Sequence, residues 1–323
     1  MKKALTTVLA ACLPLMSTLP AAAQAPWPSQ PIKIIVSYSA GGAGDQIARI
    51  VSEQLTIDLK TPVIVDNRPG ASGMIGGAAC KAAKPDGYTY CVFLGDVVTS
   101  NPVLFKSVPY DAQKDFVPVS FLADINTLLI VPEKSGIKSI QDLVQQAKSH
   151  PSSTNWGSWG VGSSAHLVLS VVEKAYDTPI AHVPYKNTPD LINAVFTGEI
   201  SGTISAYSLV HGHLEQKTMR AIAAMGEKRL PFMPDVPTFA EQGVPLTATL
   251  WYGLFAPAAT PAQQVTAMNA AVNRAIHTAV EQKKLDQKWF MPRTLTQPEF
   301  ATVVKKETAV WGEIARQSGI RLD

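Results

Sequence analysis

Apolar and polar positions along this chain switch repeatedly between two periods. Residues 32–38, "IKIIVSY", form an apolar run. From residue 45 to about 59, apolar side chains return at Ile47, Ile50, Val51 and Leu55, the spacing of one helix face. "PVIVDN" predicts a second strand, followed by the loop "RPGASG" and a small-residue helix to about residue 83. "YTYCVFL" predicts a third strand, entered through the turn Pro85-Asp86-Gly87. "NTLLIVP" comes next, then a helix from near Ser139 with Asp142 placed as in a capping box. "TNWGS" reads as a short strand feeding "WGVGSSAH" and a helix over about 163–176. "IAHVPY", "ISGTISAY" and "MRAIAAM" are further strands, with helical stretches at 191–196 and near His211 between them. "ATLWYGLFAP" is one more strand. Two long helices finish the chain, over about 261–282 and from Thr296, where "TQPE" supplies another capping box. Strands alternating with helices predict an α/β protein with largely parallel sheets and ligands at the strand C-terminal ends. No internal repeat or low-complexity tract interrupts the pattern.

The opening of the chain stands apart. "MKKALTTVLAACLPLMSTLPAAAQA" has Lys2 and Lys3 ahead of an uncharged apolar stretch and a small-residue end, the layout of a secretory signal peptide with cleavage expected after Ala23. A rival reading is a lipoprotein anchored at Cys12, since "LAAC" passes as a lipobox. Against it, the apolar run before Cys12 is very short and continues well past it. No other segment approaches the ~18 uninterrupted apolar residues of a membrane span. An exported, soluble protein in the periplasm is therefore expected. Without the leader, 26 of the 28 basic residues stand against 25 acidic ones. That balance gives no general field for nucleic acid or an anionic membrane. The remaining length exceeds what one core usually serves, so one large or two medium domains are expected. Cys80 and Cys91 remain, and an even pair in an oxidising compartment suggests a disulfide, the other reading being two separately buried thiols.

The candidate chemistry starts at "SAGGAGDQI", a strand turning through glycines into a helix. As a dinucleotide fingerprint it has Gly42 and Gly44 as G-x-G and Asp66 at the end of the next strand, but Ile47 stands at the third glycine position. An exported protein also has no steady supply of nicotinamide cofactor. A Walker A loop is excluded because no Lys follows the glycines. What remains is general: backbone N–H groups at a helix start facing one anionic group, with glycines allowing close approach. A carboxylate suits such a seat as well as a phosphate does. "SWGVGSSAH" is a second turn of the same kind, with Gly160 and Gly162 before Ser163 and Ser164. Enzyme signatures are missing: no G-x-S-x-G elbow, CxxC or HExxH occurs. Asp45, Asp66 and Asp96 follow strands but lack a paired base. His211 and His213 have no evident third ligand, so no metal or other cofactor is expected.

Taken together, "WPSQPIKIIVSYSAGGAGDQIARIVSEQL", "PVIVDNRPGASGMIG", "KPDGYTY", "NPVLF…VPYDAQKDFVPVS", "GSSAHL", "HVPYKN" and "PDVPTFAEQGVP…WYGLFAPAATP" resemble the Bug-type solute receptors of tripartite tricarboxylate transporters, in the family's order. The resemblance implies a two-lobed periplasmic clamp of the type II class, with one lobe from residues 24–124 plus 246–323 and the other from 125–245. Each lobe would be a mixed, mostly parallel sheet flanked by helices, closing on the ligand. It implies a binding protein, not an enzyme, acting as a monomer with membrane permease subunits and a small organic carboxylate. One ligand carboxylate would be held by Ser39, Ala40, Gly41, Gly42, Ala43 and Asp45 from one lobe and Gly162, Ser163 and Ser164 from the other, through amides, hydroxyls and water. Asp45 could equally cap its own helix.

Departures from the family bear on specificity. The usual two prolines before the glycines are Ser39 and Ala40. Ser205 replaces a frequent acid, which removes a repulsion against a second carboxylate and a partner for an ammonium. Trp159 and Tyr207 could sandwich a flat ring, the alternative for Trp159 being ordinary packing under its loop. His211 could reach a distal carboxylate, Tyr185 could form a wall, and Asp96 could help select the distal end. The expected ligand is a dicarboxylate or aromatic dicarboxylate, terephthalate being the specific choice. An amino acid or a nicotinate-like monoacid is the alternative ligand, and an exported hydrolase-type enzyme on the same α/β scaffold is the alternative from another class.

Overall fold

The computed structural model describes residues 27–286 and 288–323; the expected leader, with Cys12, lies outside them. The chain runs through β1 (Ile32–Val36), α1 (Ala43–Leu59), β2 (Val63–Asn67), α2 (Met74–Lys81), β3 (Thr89–Leu94), α3 (Asn101–Leu104) and β4 (Phe116–Ile125). It continues as β5 (Thr127–Pro132), α4 (Ile140–Ser149), β6 (Asn155–Ser158), α5 (Ser164–Tyr176), β7 (Ala181–Pro184), α6 (Thr188–Thr197), β8 (Thr203–Ala206), α7 (Tyr207–Glu215) and β9 (Met219–Ala224). It ends with β10 (Leu250–Pro257), α8 (Ala262–Glu281), β11 (Phe290–Met291) and α9 (Gln297–Gln317).

Two sheets result. The larger has the strand order β11-β4-β10-β3-β1-β2. The smaller has β8-β5-β9, and the β6-β7 pair joins its edge through a bridge between Trp156 and Gly202. The expectation of mostly parallel sheets needs correction. Parallel pairing holds for β1 with β2 and β3 and for β6 with β7. β10 is antiparallel to both β3 and β4, β11 to β4, and β5 to both β8 and β9. The reason is topological. β4 leaves the larger sheet and β10 re-enters beside it, while β5 enters the smaller sheet and β9 leaves beside it. Strands that carry a chain out and back must run in opposite directions.

The apolar pattern did not predict β4, because Pro118 breaks the run "FVPVSFLADI". Proline lacks the N–H that a ladder needs. The sheet accommodates it where Pro118 faces Phe255, beside a register slip between Leu254 and Phe255. Around these strands lies an aromatic core in which Phe300 meets Phe121 and Trp251 edge-on. A disulfide joins Cys80 at the end of α2 to Cys91 in β3. α2 lies close on β1: a Cβ at Gly76 would stand 2.5 Å from Ser37 Cα.

Helix starts separate into two kinds. α4, α6 and α9 are capped by the side chains of Ser139, Asn187 and Thr296. α1 and α5 have no side-chain cap. Their first amides are left for other partners, and both helices begin at the gap between the sheets.

Candidate ligand-binding cleft

The turn after β1 carries Ser39 to Gly42. Gly41 adopts φ +77°, which a glycine tolerates, and donates its N–H to Asp45 Oδ2 at 3.0 Å. Asp45 also accepts from Arg49 Nε at 3.0 Å. Burial pushes the Asp45 carboxyl upward, but bonds from Arg49, Gly41 and Asn67 outweigh it and leave the group below its usual range. Asp45 therefore braces its own loop, and its carboxylate is not on a ligand wall. Gly42 N–H donates to Ser39 O at 3.2 Å, and Gly42 and Ala43 border a small inner chamber.

That chamber measures about 40 Å³. Its walls include Leu94, Ile125, Leu191, Ile204, Leu209 and Leu250, with aromatic faces from Tyr38, Trp159 and Tyr252. No charged side chain lines it. Thr127 and Ser205 also line it, but their hydroxyls donate to the carbonyls of Ile125 and Ala206. Tyr38, Trp159 and Thr188 also border an outer cleft of about 640 Å³, which contains Ser39, Ser72, Tyr185 and the cation Lys186. At the mouth, Thr188 N–H donates to Ser39 Oγ at 3.3 Å and Ser72 Oγ donates to Val161 O at 2.6 Å. The inner chamber has room for roughly two or three waters.

The second loop is held from behind by two imidazoles. Gly162 N–H donates to His166 Nδ1 at 3.1 Å, and His182 Nε2 lies 2.6 Å from Ser158 Oγ. The rings stack with centroids 3.8 Å apart. Burial lowers His166 below its usual value, and burial with the neighbouring His166 lowers His182 to about 4. Both are neutral at neutral pH, which leaves His166 Nδ1 free to accept.

At the start of α5 sits Asp96, delivered by the turn after β3. Its Oδ2 accepts from Tyr38 Oη at 2.7 Å and from Ser164 Oγ at 3.4 Å. The N–H groups of Ser164 and Val97 also bond it. Asp96 is 4% exposed, and burial raises its carboxyl to about 6 despite those bonds. Its Oδ1 is buried without a partner, as is Ser163 Oγ.

The structure thus brings together Gly42, Ala43, Trp159 and Ser205 on the chamber, Ser39 and Tyr185 on the outer cleft, and Ser164 with Asp96 behind Tyr38. Other candidates stand elsewhere. Ala40 and Gly41 are exposed, and Gly162 faces Phe105 and Leu322. The Tyr185 hydroxyl is turned to Glu199 at 2.8 Å. Tyr207 and His211 are not on the chamber, because β8 stops at Ala206 and α7 begins at Tyr207. Tyr207 packs on Phe232 at 4.8 Å, and His211 bonds Ser208 O and faces Trp289. The ring sandwich expected of Trp159 and Tyr207 is therefore not formed. Sequence reading missed Tyr38, Ser72, Thr188 and Tyr252. Tyr38 closes the apolar run directly before the first glycine loop, a visible signal; Tyr252 lies more than 200 residues along the chain from it and gave none.

From residue 47 to 320 the chain matches the family described as the tripartite tricarboxylate transporter family receptor. It belongs to that family. A Pseudomonas sp. protein encoded in a tcbD-tcbE intergenic region is 32% identical over 89% of this chain and 86% of its own length. BugT of Bordetella pertussis is 28% identical over 92% and 91%. A Rhodopseudomonas palustris protein solved with adipate superposes with a TM-score of 0.86 at 28% identity, covering 92% of this chain and all of the other. MatC of the same organism, solved with malate, superposes with a TM-score of 0.83 at 26% identity, over 90% of this chain and all of its own. This tripartite tricarboxylate transporter receptor is accordingly a two-lobed solute-binding protein and not an enzyme.

Proposed function

We propose that this receptor works in the periplasm, captures one organic carboxylate between its lobes, and delivers it to membrane permease subunits of a tripartite tricarboxylate transporter. The lobes divide near residues 124–125 and 245–246, where the chain crosses between the sheets. The observation that carries the ligand class is the uncapped start of α1, whose Gly42 and Ala43 border a chamber otherwise apolar and uncharged. Oriented amides at a helix start stabilise a carboxylate without an Arg clamp. The apolar walls suit a hydrocarbon or aromatic body. Lys186 at the outer cleft favours the approach of an anion.

Two ligand readings divide on the far end. An aromatic diacid such as terephthalate matches the diacids bound by the solved relatives, adipate and malate. Its second carboxylate, however, needs several donors or a cation, and the chamber wall offers no charged side chain and few uncommitted donors, Trp159 Nε1 among them. An aromatic monoacid such as benzoate or nicotinate needs none, and the wall favours it. An amino acid would need an acid for its ammonium, and Ser205 supplies no charge.

A thermal-shift panel on the processed protein tests the proposal. A ligand that binds only the folded state raises the melting temperature once its concentration exceeds Kd. Benzoate, nicotinate and terephthalate are expected to raise it, and NAD to leave it unchanged. Failure of every carboxylate in the panel, with succinate, adipate, citrate and glutamate included, would overturn the receptor reading for carboxylates.

A further inference from the structure

We infer that Trp159 is the specificity-determining residue that sets how long a ligand this receptor accepts, a role that rests on the carboxylate-receptor reading above. Its indole is the wall between the inner chamber and the outer cleft.

Three side chains border both spaces: Tyr38, Trp159 and Thr188. They form the partition between about 40 Å³ on one side and about 640 Å³ on the other. The three are held differently. Tyr38 is 9% exposed, and its Oη donates to the buried Asp96 at 2.7 Å. Thr188 opens α6, its N–H donates to Ser39 Oγ at 3.3 Å, and its short side chain covers little area. Trp159 is half-buried, and its Nε1 has no partner. Packing alone keeps the indole where it is.

The neighbouring Trp156 shows the contrast with a purely structural indole. It is fully buried, and its Nε1 donates to Ala165 O at 3.1 Å. Trp159 stands one residue past β6 and just before Gly160, whose φ is +139°. Its ring packs against two separate apolar clusters, one containing Tyr38 and Tyr252, the other Leu191 and Ile192. All four of those residues line the chamber, so the indole closes the seam between two of its walls. A buried donor left unpaired costs stability, so hydrogen bonding does not account for a tryptophan at this position. What the residue supplies is the area of its ring. That ring blocks any ligand body that would run from the Gly42 and Ala43 end of the chamber into the cleft, because close-packed walls do not yield to an extra ring. With a small side chain there, the two spaces merge and the limit on length is lifted.

The test compares benzoate with biphenyl-4-carboxylate, which carry the same single carboxylate and differ in the length of the body. Calorimetric Kd values are measured at pH 7.5 on the wild-type protein, Trp159→Phe and Trp159→Ala, with thermal denaturation confirming that each is folded. Wild type is expected to bind benzoate at least ~10-fold more tightly than the longer acid. Trp159→Ala is expected to bring the two within about 3-fold, by gaining affinity for the longer acid, and Trp159→Phe to keep most of the preference. Should Trp159→Ala fail to fold, Trp159→Leu keeps an apolar contact with both clusters, and the same narrowing is expected to a smaller degree. Equal binding of the two acids by wild type overturns the role of Trp159 without any variant. So does an unchanged ratio in a folded Trp159→Ala, or an equal loss of both acids, which would make the indole a structural support. No binding of either acid to wild type, or of any carboxylate in the panel above, would instead remove the receptor reading beneath it.

Discussion

The two glycine loops look alike in sequence and differ in what their helix starts hold. At α1 the nearby acid, Asp45, turns back onto its own loop and is balanced by Arg49. Beside it Gly42 N–H donates to Ser39 O, and Gly42 and Ala43 border the chamber. At α5 the acid arrives from the other side of the gap, accepts from Tyr38 Oη and Ser164 Oγ, and has no cation in its bonded shell. A paired carboxylate stiffens a loop at little cost. An unpaired one in the same kind of surroundings stores repulsion that only a proton or a neutral substitute relieves. Equivalent motifs thus hold their acids differently, one paired with a cation and the other bonded by neutral donors.

The largest effect should come from making the loops alike. Ala43→Asp places a carboxylate at the start of α1, where acids favour the helix, so the fold is expected to persist. Benzoate affinity should fall by more than ~100-fold in calorimetry, because two anions cannot share the seat. Retained affinity would show that the ligand docks elsewhere.

The next effect concerns stability. Asp96 titrates near 6 in the folded protein against a usual 3.8, so between those values the folded state binds more protons than the unfolded one. Its charge therefore costs stability above pH 6, and that cost disappears as pH falls toward 4. Asp96→Asn is expected to raise the urea midpoint at pH 7.5 by an amount equivalent to about 2–3 kcal/mol, and by almost nothing near pH 4. A variant less stable than wild type at both pH values would show that the carboxylate is a net structural asset.

The imidazole pair should behave with the opposite sign. His166 and His182 are depressed in the folded state, so stability is complete above about pH 6.5 and declines as pH falls toward 4. Protonation of His166 Nδ1 would also remove the acceptor for Gly162 N–H. His182→Asn is expected to flatten this decline by on the order of 1 kcal/mol, since both rings are only partly buried. Denaturation midpoints at pH 7.5 and 5 measure it.

Arg49→Ala should matter least. The guanidinium is 56% exposed, and its loss is expected to cost about 0.5 kcal/mol and to change benzoate affinity less than ~3-fold. A larger change in affinity would place Asp45 in the binding step.

Much of the fold was legible because local patterns decide local structure. The capping box at Thr296 and the Ser139 cap lie where side chains three residues apart predicted them. The strand β4 was hidden by Pro118, which is tolerated only because its partner strand slips register there. Within the site, Gly42, Ala43 and Trp159 were legible from the glycine turns. Tyr207 and His211 were placed on the wall by extending β8 one residue too far, and the change to helical period at Tyr207 turns both away.

The sequence by itself determined where Ser139 and Thr296 cap their helices, where glycines permit tight turns, and that neither loop brings its own Lys or Arg to the chamber. Those are properties of a few adjacent residues. Only the tertiary structure decided that Asp96 meets Ser164, 68 residues away, and that Tyr38 and Tyr252 wall the same chamber. Backbone amides take their direction from nearby torsions, whereas the partner of a buried charge is set by which distant elements pack against it.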